Sequence, residues 1–124
     1  MLPDLSVNMD IYDFAEVYFL GVFSLENKLI AVNSFFNSNK EKTQIRSRGL
    51  YVFNEFRNLG IGKLILSETI KNSRIKFVDS QMIWSIPRRS SFHVYEKVGF
   101  KQSTDWFYEN MEFGPNCVAI CEFK

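Results

Sequence analysis

From Ala15 to Ser24 the chain is dense in Val, Phe and Tyr. The polar tetrad Leu25-Glu26-Asn27-Lys28 interrupts it, and a second β-like run follows from Leu29 to Phe36. Two such runs across a short polar turn predict a hairpin. Asn37-Ser38-Asn39-Lys40-Glu41-Lys42 is a polar connection, after which Thr43 to Phe53 reads as a third strand leading into a glycine-bearing turn. Ile61 to about Arg74 sets Leu64, Ile65, Leu66 and Ile70 among Lys63, Ser67, Glu68 and Lys71, the spacing of a helix with one broad buried side. Gln81 to Ile86 is a short strand closed by Pro87, and Ser90 or Ser91 is placed to cap a helix that runs to Val98 and stops at Gly99. The next strand begins at Phe100. Trp106 to Met111 and Cys117 to Phe123 follow as two β-like stretches joined by Gly114-Pro115-Asn116. The order is strands, helix, strand, helix, strands, without repeat, low-complexity tract or linker, so the expectation is one α+β domain spanning residues 1–124.

Composition narrows the classes of partner. With 124 residues, 46% hydrophobic and 23% charged, the chain suits one compact core. Fifteen basic against fourteen acidic residues leave a net charge of +1, which gives no broad field for nucleic acid or an anionic membrane. The thirteen Phe and five Tyr are expected to fill the core. No apolar run approaches the roughly 18 residues of a membrane span, and Met1-Leu2-Pro3-Asp4 lacks the regions of a secretory signal, so a cytoplasmic location is expected. Cys117 and Cys121, four apart on an expected strand, would lie about 13 Å from each other, beyond disulfide reach. They read as reduced packing residues. With a single His and two separated Cys, no metal site is expected.

The segment Arg57-Asn58-Leu59-Gly60-Ile61-Gly62-Lys63 lies between an apolar strand and a helix. Gly60 allows a positive φ or a close approach, Gly62 leaves the first helical turn bare, and unpaired helix amides with the helix dipole favour an anion there. The turn reads as a phosphate or pyrophosphate cradle. It is not the loop of a nucleotide-hydrolysing P-loop: Gly60 stands two residues before Gly62 rather than five, and Leu64 replaces the Ser or Thr after the lysine.

About thirty residues downstream lies Val94-Tyr95-Glu96-Lys97-Val98-Gly99-Phe100. Together with the glycine turn and the strand between them, it resembles the GNAT superfamily of acyl-CoA-dependent N-acetyltransferases. The phosphate-loop pattern (Q/R)-x-x-G-x-(G/A) is matched by Arg57, Gly60 and Gly62, and the later Y-E-K-x-G-F by Tyr95, Glu96, Lys97, Gly99 and Phe100. The resemblance implies a central mixed, mostly antiparallel sheet that splays after its fourth strand, with helices on its faces and acetyl-CoA in the gap. It also implies that the main chain at Leu50, Tyr51 and Val52 pairs with the pantetheine arm. Amides from Asn58, Leu59, Gly60, Ile61, Gly62 and Lys63 would hold the pyrophosphate, with Arg57 and Lys63 adding charge. Arg88 and Ser91 stand where many members have Asn and Ala, which alters the pantetheine side. Only about fifteen residues precede the hairpin, where relatives usually have an extra strand and two helices. A shortened N-terminal region of this kind implies an acceptor cleft that is open or completed by a second subunit, as in a homodimer.

The implied reaction moves an acetyl group from acetyl-CoA to a primary amine of a small molecule or polypeptide. Such chemistry needs a neutral amine, a stabilised oxyanion and a proton for the departing thiolate. Tyr95 is the candidate acid and also a cofactor contact. The strand Thr43 to Val52 holds no carboxylate where relatives commonly place a Glu. Glu55 is the candidate base, and His93, Asp105, Glu109, a water chain or an amine that arrives neutral remain open. His93, two residues before Tyr95, is expected on a different helix side. Arg46 and Arg48 share one strand face unless a bulge intervenes, and on the acceptor side they would favour a carboxylate-bearing acceptor. The other reading is a domain of the same fold that binds acyl-CoA or a protein without turnover.

Overall fold

The computed structural model describes residues 7–14, 16–108 and 114–123. Its strands are β1 (Val7–Phe14), β2 (Val17–Ser24), β3 (Leu29–Asn37), β4 (Gln44–Val52), β5 (Met82–Ser85), β6 (Lys101–Gln102) and β7 (Ala119–Glu122); its α-helices are α1 (Ile61–Lys76) and α2 (Phe92–Lys97). The strands form one sheet in the order β1-β2-β3-β4-β5-β7-β6. Pairing is antiparallel throughout except between β4 and β5, which run parallel with α1 as their crossover. Among the described residues no helix is long and apolar enough to cross a membrane.

The hairpin, the strand before the glycine turn and both helices occur where the hydrophobic pattern puts them. β1 is an addition. The pattern leaves residues before Ala15 unassigned, yet Val7-Asn8-Met9-Asp10-Ile11 alternates with the period of a strand, and Phe14 pairs with Val17 across a tight turn in which Glu16 has φ 67°. The strand thought to be missing at the N-terminus is therefore present, joined to β2 without an intervening helix. Neither Ser90 nor Ser91 caps α2 through its side chain. Ser91 already has helical backbone angles (φ −107°, ψ −6°), continuing a 3-10 turn over Arg89–Ser91, so it lacks the extended geometry of a capping residue. Of the expected strand from Trp106, Phe107 alone forms a bridge, to Asn116, and residues 109–113 lie outside the described residues.

α1 buries Ile61, Ile65, Leu66, Thr69 and Ser73 along one stripe against β3 and β4. The facing strand positions include Phe35 and Ile45, both fully buried. Tyr18 stacks on Phe35 at 5.3 Å and Phe77 meets both rings edge-on, so part of the aromatic set packs in the core, whereas Phe19, Tyr51 and Tyr108 are exposed. Inside this apolar layer Asn33 donates from Nδ2 to Ser47 Oγ and to Thr69 Oγ1, each at 2.9 Å, tying β3, β4 and α1 together. Cys117 and Cys121 are buried, free thiols, and burial pushes both above the usual thiol range, away from the reactive thiolate. Ile45 and Ser47 point at α1, so Arg46 and Arg48 leave the sheet on the opposite face.

Candidate functional site

β4 and β5 pair only at Gln44–Met82, Ile45–Ile83 and Arg46–Trp84. Beyond Arg46, β4 continues beside β3 to Val52 while β5 ends at Ser85, so the two strands part and β4 keeps an unpaired backbone edge. A bulge shapes that edge. Ser34 pairs with Arg48 and Val32 with Tyr51, so two steps on β3 match three on β4, with Gly49 at φ 85° taking up the extra residue. The bulge leaves Arg46, Arg48 and Tyr51 on the same face. At the fork, Ser85 Oγ donates to the carbonyl of Ser47 at 2.8 Å, in place of the next ladder bond.

The parted strands open a cleft of about 780 Å³. One wall is β4 from Arg46 to Val52, one end is the turn at Arg57, Asn58, Gly60 and Lys63, and the other wall is Ile86 to Arg88 with α2. The turn is built by two left-handed residues, Asn58 (φ 62°) and Gly60 (φ 80°), and Gly60 takes the N-cap position of α1. The helix ladder starts with Leu64 N–H donating to the Gly60 carbonyl at 3.0 Å, so the amides of Ile61, Gly62 and Lys63 precede it. The two glycines have different tasks. A Cβ on Gly60 would meet nothing within 4 Å, so its role is the positive φ. A Cβ on Gly62 would lie 3.2 Å from Val94 Cγ1, so its role is the close approach of α2 to α1.

Tyr95 lines the cleft from α2 and is 6% exposed. Burial raises its phenol above the ordinary 10.0, opposed by a hydrogen bond with Ser85 and by the charge of Arg88. Ser85, beside the phenol, gives its own Oγ proton to the Ser47 carbonyl, so it stands between Tyr95 and β4 at the fork. Phe100 packs edge-on to the Tyr95 ring at 5.3 Å.

The other expected residues divide. Leu50, Tyr51, Val52, Arg57, Asn58, Gly60, Ile61, Gly62, Lys63, Arg88 and Ser91 all line the cleft, whereas Leu59 is turned to pack against the core. Arg57 does not reach outward: its Nε donates to the Val52 carbonyl at 2.9 Å and its guanidinium lies 5.3 Å from the Tyr51 ring centroid. Glu55, the candidate base, is not in the lining; it is exposed and accepts from Lys28 Nζ at 3.2 Å. The short 3-10 turn Asn54–Phe56 aims it away, toward the β2–β3 turn. Asp105 is exposed and also outside the lining, and Glu109 lies outside the described residues. His93 is exposed where Tyr95 is buried, the different helix side its spacing implies, and it lines the cleft as well.

Lys97 and Asn116 were not anticipated. His93, Val94 and Lys97 fall on one helical face at i, i+1 and i+4, a spacing that the sequence carries. Asn116 has no such signal, because it comes from the far end of the chain to bridge with Arg88. Its Nδ2 donates to the Ile86 carbonyl at 3.2 Å, while Oδ1 is buried without a partner and belongs to a residue lining the cleft. Arg46, Arg48, Arg57, Lys63, Arg88 and Lys97 make the described lining cationic, and no Asp or Glu stands among the described lining residues.

This fold recurs in solved structures. The chain has the GNAT fold. It aligns with a GNAT family acetyltransferase from Elizabethkingia anophelis with acetyl-CoA bound, at TM-score 0.75 and 14% identity, over 94% of this chain and 98% of that one. It aligns as well with a spermidine N-acetyltransferase from Vibrio cholerae in complex with CoA and spermine, at TM-score 0.70 and 13% identity, over 87% of this chain and 66% of that one. The chain thus spans about two thirds of the Vibrio cholerae enzyme, which also has a dodecameric structure. No protein-family model matches the sequence, and no curated protein matches it. The GNAT fold accounts for the mostly antiparallel sheet and for the fork at β4 and β5.

Proposed function

We propose that residues 1–124 form an N-acetyltransferase domain that moves an acetyl group from acetyl-CoA to a primary amine. The observation that carries this reading is that the unpaired first-turn amides of α1 and the buried phenol of Tyr95 open on the same cleft, at opposite ends of the bare β4 edge. The amides from Asn58 to Lys63, with the charge of Lys63, take the pyrophosphate. The β4 edge from Leu50 to Val52 pairs with the pantetheine amides as a further strand would. Asn116 Oδ1, lacking any other donor, takes a pantetheine N–H, which supplies from β7's side what Arg88 and Ser91 do not.

The acceptor nitrogen attacks the thioester carbonyl carbon, the carbon–sulfur bond breaks, and the phenol proton of Tyr95 passes to the departing thiolate. Transfer from a phenol near 10 to a thiolate near 8.5 is uphill by about 2 kcal/mol, and burial of Tyr95 adds to this, so its work is done by position more than by acidity. With no carboxylate among the described lining residues, the amine's proton leaves through the exposed imidazole of His93 or directly to water.

That missing carboxylate also supports a second reading, an acyl-CoA-binding domain without turnover. Calorimetric titration with acetyl-CoA and free CoA, followed by mass-spectrometric screening of amines for acetyl gain, separates the two. Binding with acetylation supports the enzyme, binding without acetylation of any amine supports the second reading, and no binding of either ligand refutes both.

A further inference from the structure

Two arginines of the cleft stand far from the phosphate turn. Arg46 and Arg48 leave β4 on the face opposite α1, either side of Ser47, whose carbonyl marks the fork. At about 3.3 Å per residue, and allowing for the bulge, Arg46 is roughly 17–20 Å along the strand from Val52, where Arg57 is pinned. A diphosphate held at the start of α1 does not neutralise them.

The Arg46 guanidinium lies 4.7 Å from the centroid of Trp84, a ring that is itself fixed by donation from Nε1 to Ser38 Oγ at 2.9 Å. Its Nε is buried without a hydrogen-bond partner. The salt bridge among the described residues, Lys28–Glu55, is elsewhere, so neither arginine forms an ion pair with a described carboxylate. Burial and the neighbouring charge of Arg48 both push the Arg46 pKa down, so Arg46 stands partly desolvated beside a second, exposed cation. An orphaned guanidinium donor beside a second cation is a site for an anion with two oxygens. Ser47, between them, connects through Ser85 to the Tyr95 phenol, so an acceptor anchored here has its amine at the reacting end of the cleft.

We propose that Arg46 and Arg48 bind a carboxylate of the acceptor, so that the acceptor is a primary amine bearing a carboxylate, either a free amino acid or an acidic peptide N-terminus. The inference rests on the acetyltransferase reading above and specifies its substrate class. It sets this chain apart from the Vibrio cholerae enzyme solved with spermine, because a polycation here would meet like charges.

The test compares kcat/KM for matched amines, using the full chain with saturating acetyl-CoA. The panel pairs amino acids with their amides and peptides beginning Asp-Asp with those beginning Asn-Asn, and includes spermine. The carboxylate member is expected to lead by about tenfold or more, and the amino acid and peptide arms identify which source is used. Arg46→Gln should reduce that lead to about twofold while the calorimetric affinity for acetyl-CoA is unchanged, and Arg46→Lys should keep part of it. If Arg46→Gln melts early, the exposed Arg48→Gln is read in its place. Equal or better use of the amides or of spermine overturns the proposal. Should acetyl-CoA bind and no amine be acetylated, the acetyltransferase reading fails separately. Titration of the same panel into the CoA-loaded protein then decides: carboxylate binding lost in Arg46→Gln upholds the anion site, and no carboxylate binding overturns it.

Discussion

Tyr95→Phe removes one oxygen from the fork of the sheet and keeps the ring that packs on Phe100. The structural cost is small and can be worked out. Ser85 loses its hydrogen-bond partner on Tyr95 but keeps its own bond to the Ser47 carbonyl at 2.8 Å, so no buried donor is orphaned. One neutral hydrogen bond is lost, about 1 kcal/mol, which for a domain of this size is a fall in Tm of about 4 °C. The chemical cost is larger. Losing the proton donor for the thiolate should slow kcat by about a hundredfold or more, equivalent to about 2.7 kcal/mol of barrier, with acetyl-CoA affinity within about twofold of the parent. The pH behaviour carries a sign. Because burial raises the phenol above 10.0, the acid form persists through neutral and mildly alkaline pH, and Tyr95 imposes no alkaline loss of activity below about pH 10. The stability tied to its neutral form is fully present below the unfolded value near 10 and falls as pH rises through the raised folded value; Tyr95→Phe should abolish that alkaline fall. Single-turnover rates, calorimetry and melts from pH 7 to 11 test the set. A kcat within threefold of the parent would refute the role of Tyr95 as acid.

Three further outcomes follow from the glycine turn and from Asn116. Gly62→Ala sets a helical gain of about 1 kcal/mol against a Cβ standing 3.2 Å from Val94 Cγ1, and Val94→Ala should make the same substitution more favourable by about 1 kcal/mol; strictly additive urea-melt values would contradict the packing account. Gly60→Ala meets no atom but forces a left-handed alanine at φ 80°, costing about 1–2 kcal/mol and weakening acetyl-CoA binding, and Val94→Ala should not rescue it. Asn116→Ala, by removing the buried unpartnered Oδ1, should raise KM for acetyl-CoA about tenfold with kcat nearly unchanged, and an equal drop in kcat would count against a binding role.

The parts of the site that lie close together in sequence were legible there. The turn from Arg57 to Lys63 needs only a left-handed glycine and free helix amides, both local properties of the chain. Tyr95 was legible because a helix end at Gly99 and the motif around it are contiguous. Glu55 was misleading for a non-local reason: the 3-10 turn that carries it hands its carboxylate to Lys28, twenty-seven residues away in sequence. β1 was missed although its alternation is readable, because Tyr12 breaks the period before the strand ends.

The sequence by itself determined the order of strands and helices from β2 to α2, the glycine turn and the identity of the residues at its mouth, because periodicity and turn chemistry act over a few residues. The fold decided what those residues face. Parallel pairing that stops at Arg46, and the bulge at Gly49, put Arg46, Arg48 and the Ser85 bridge at the fork. The bridge from Arg88 brings Asn116 across from the other end of the chain. Such placements depend on strand register and on where two strands part, which are sums of distant contacts that no short stretch of sequence encodes.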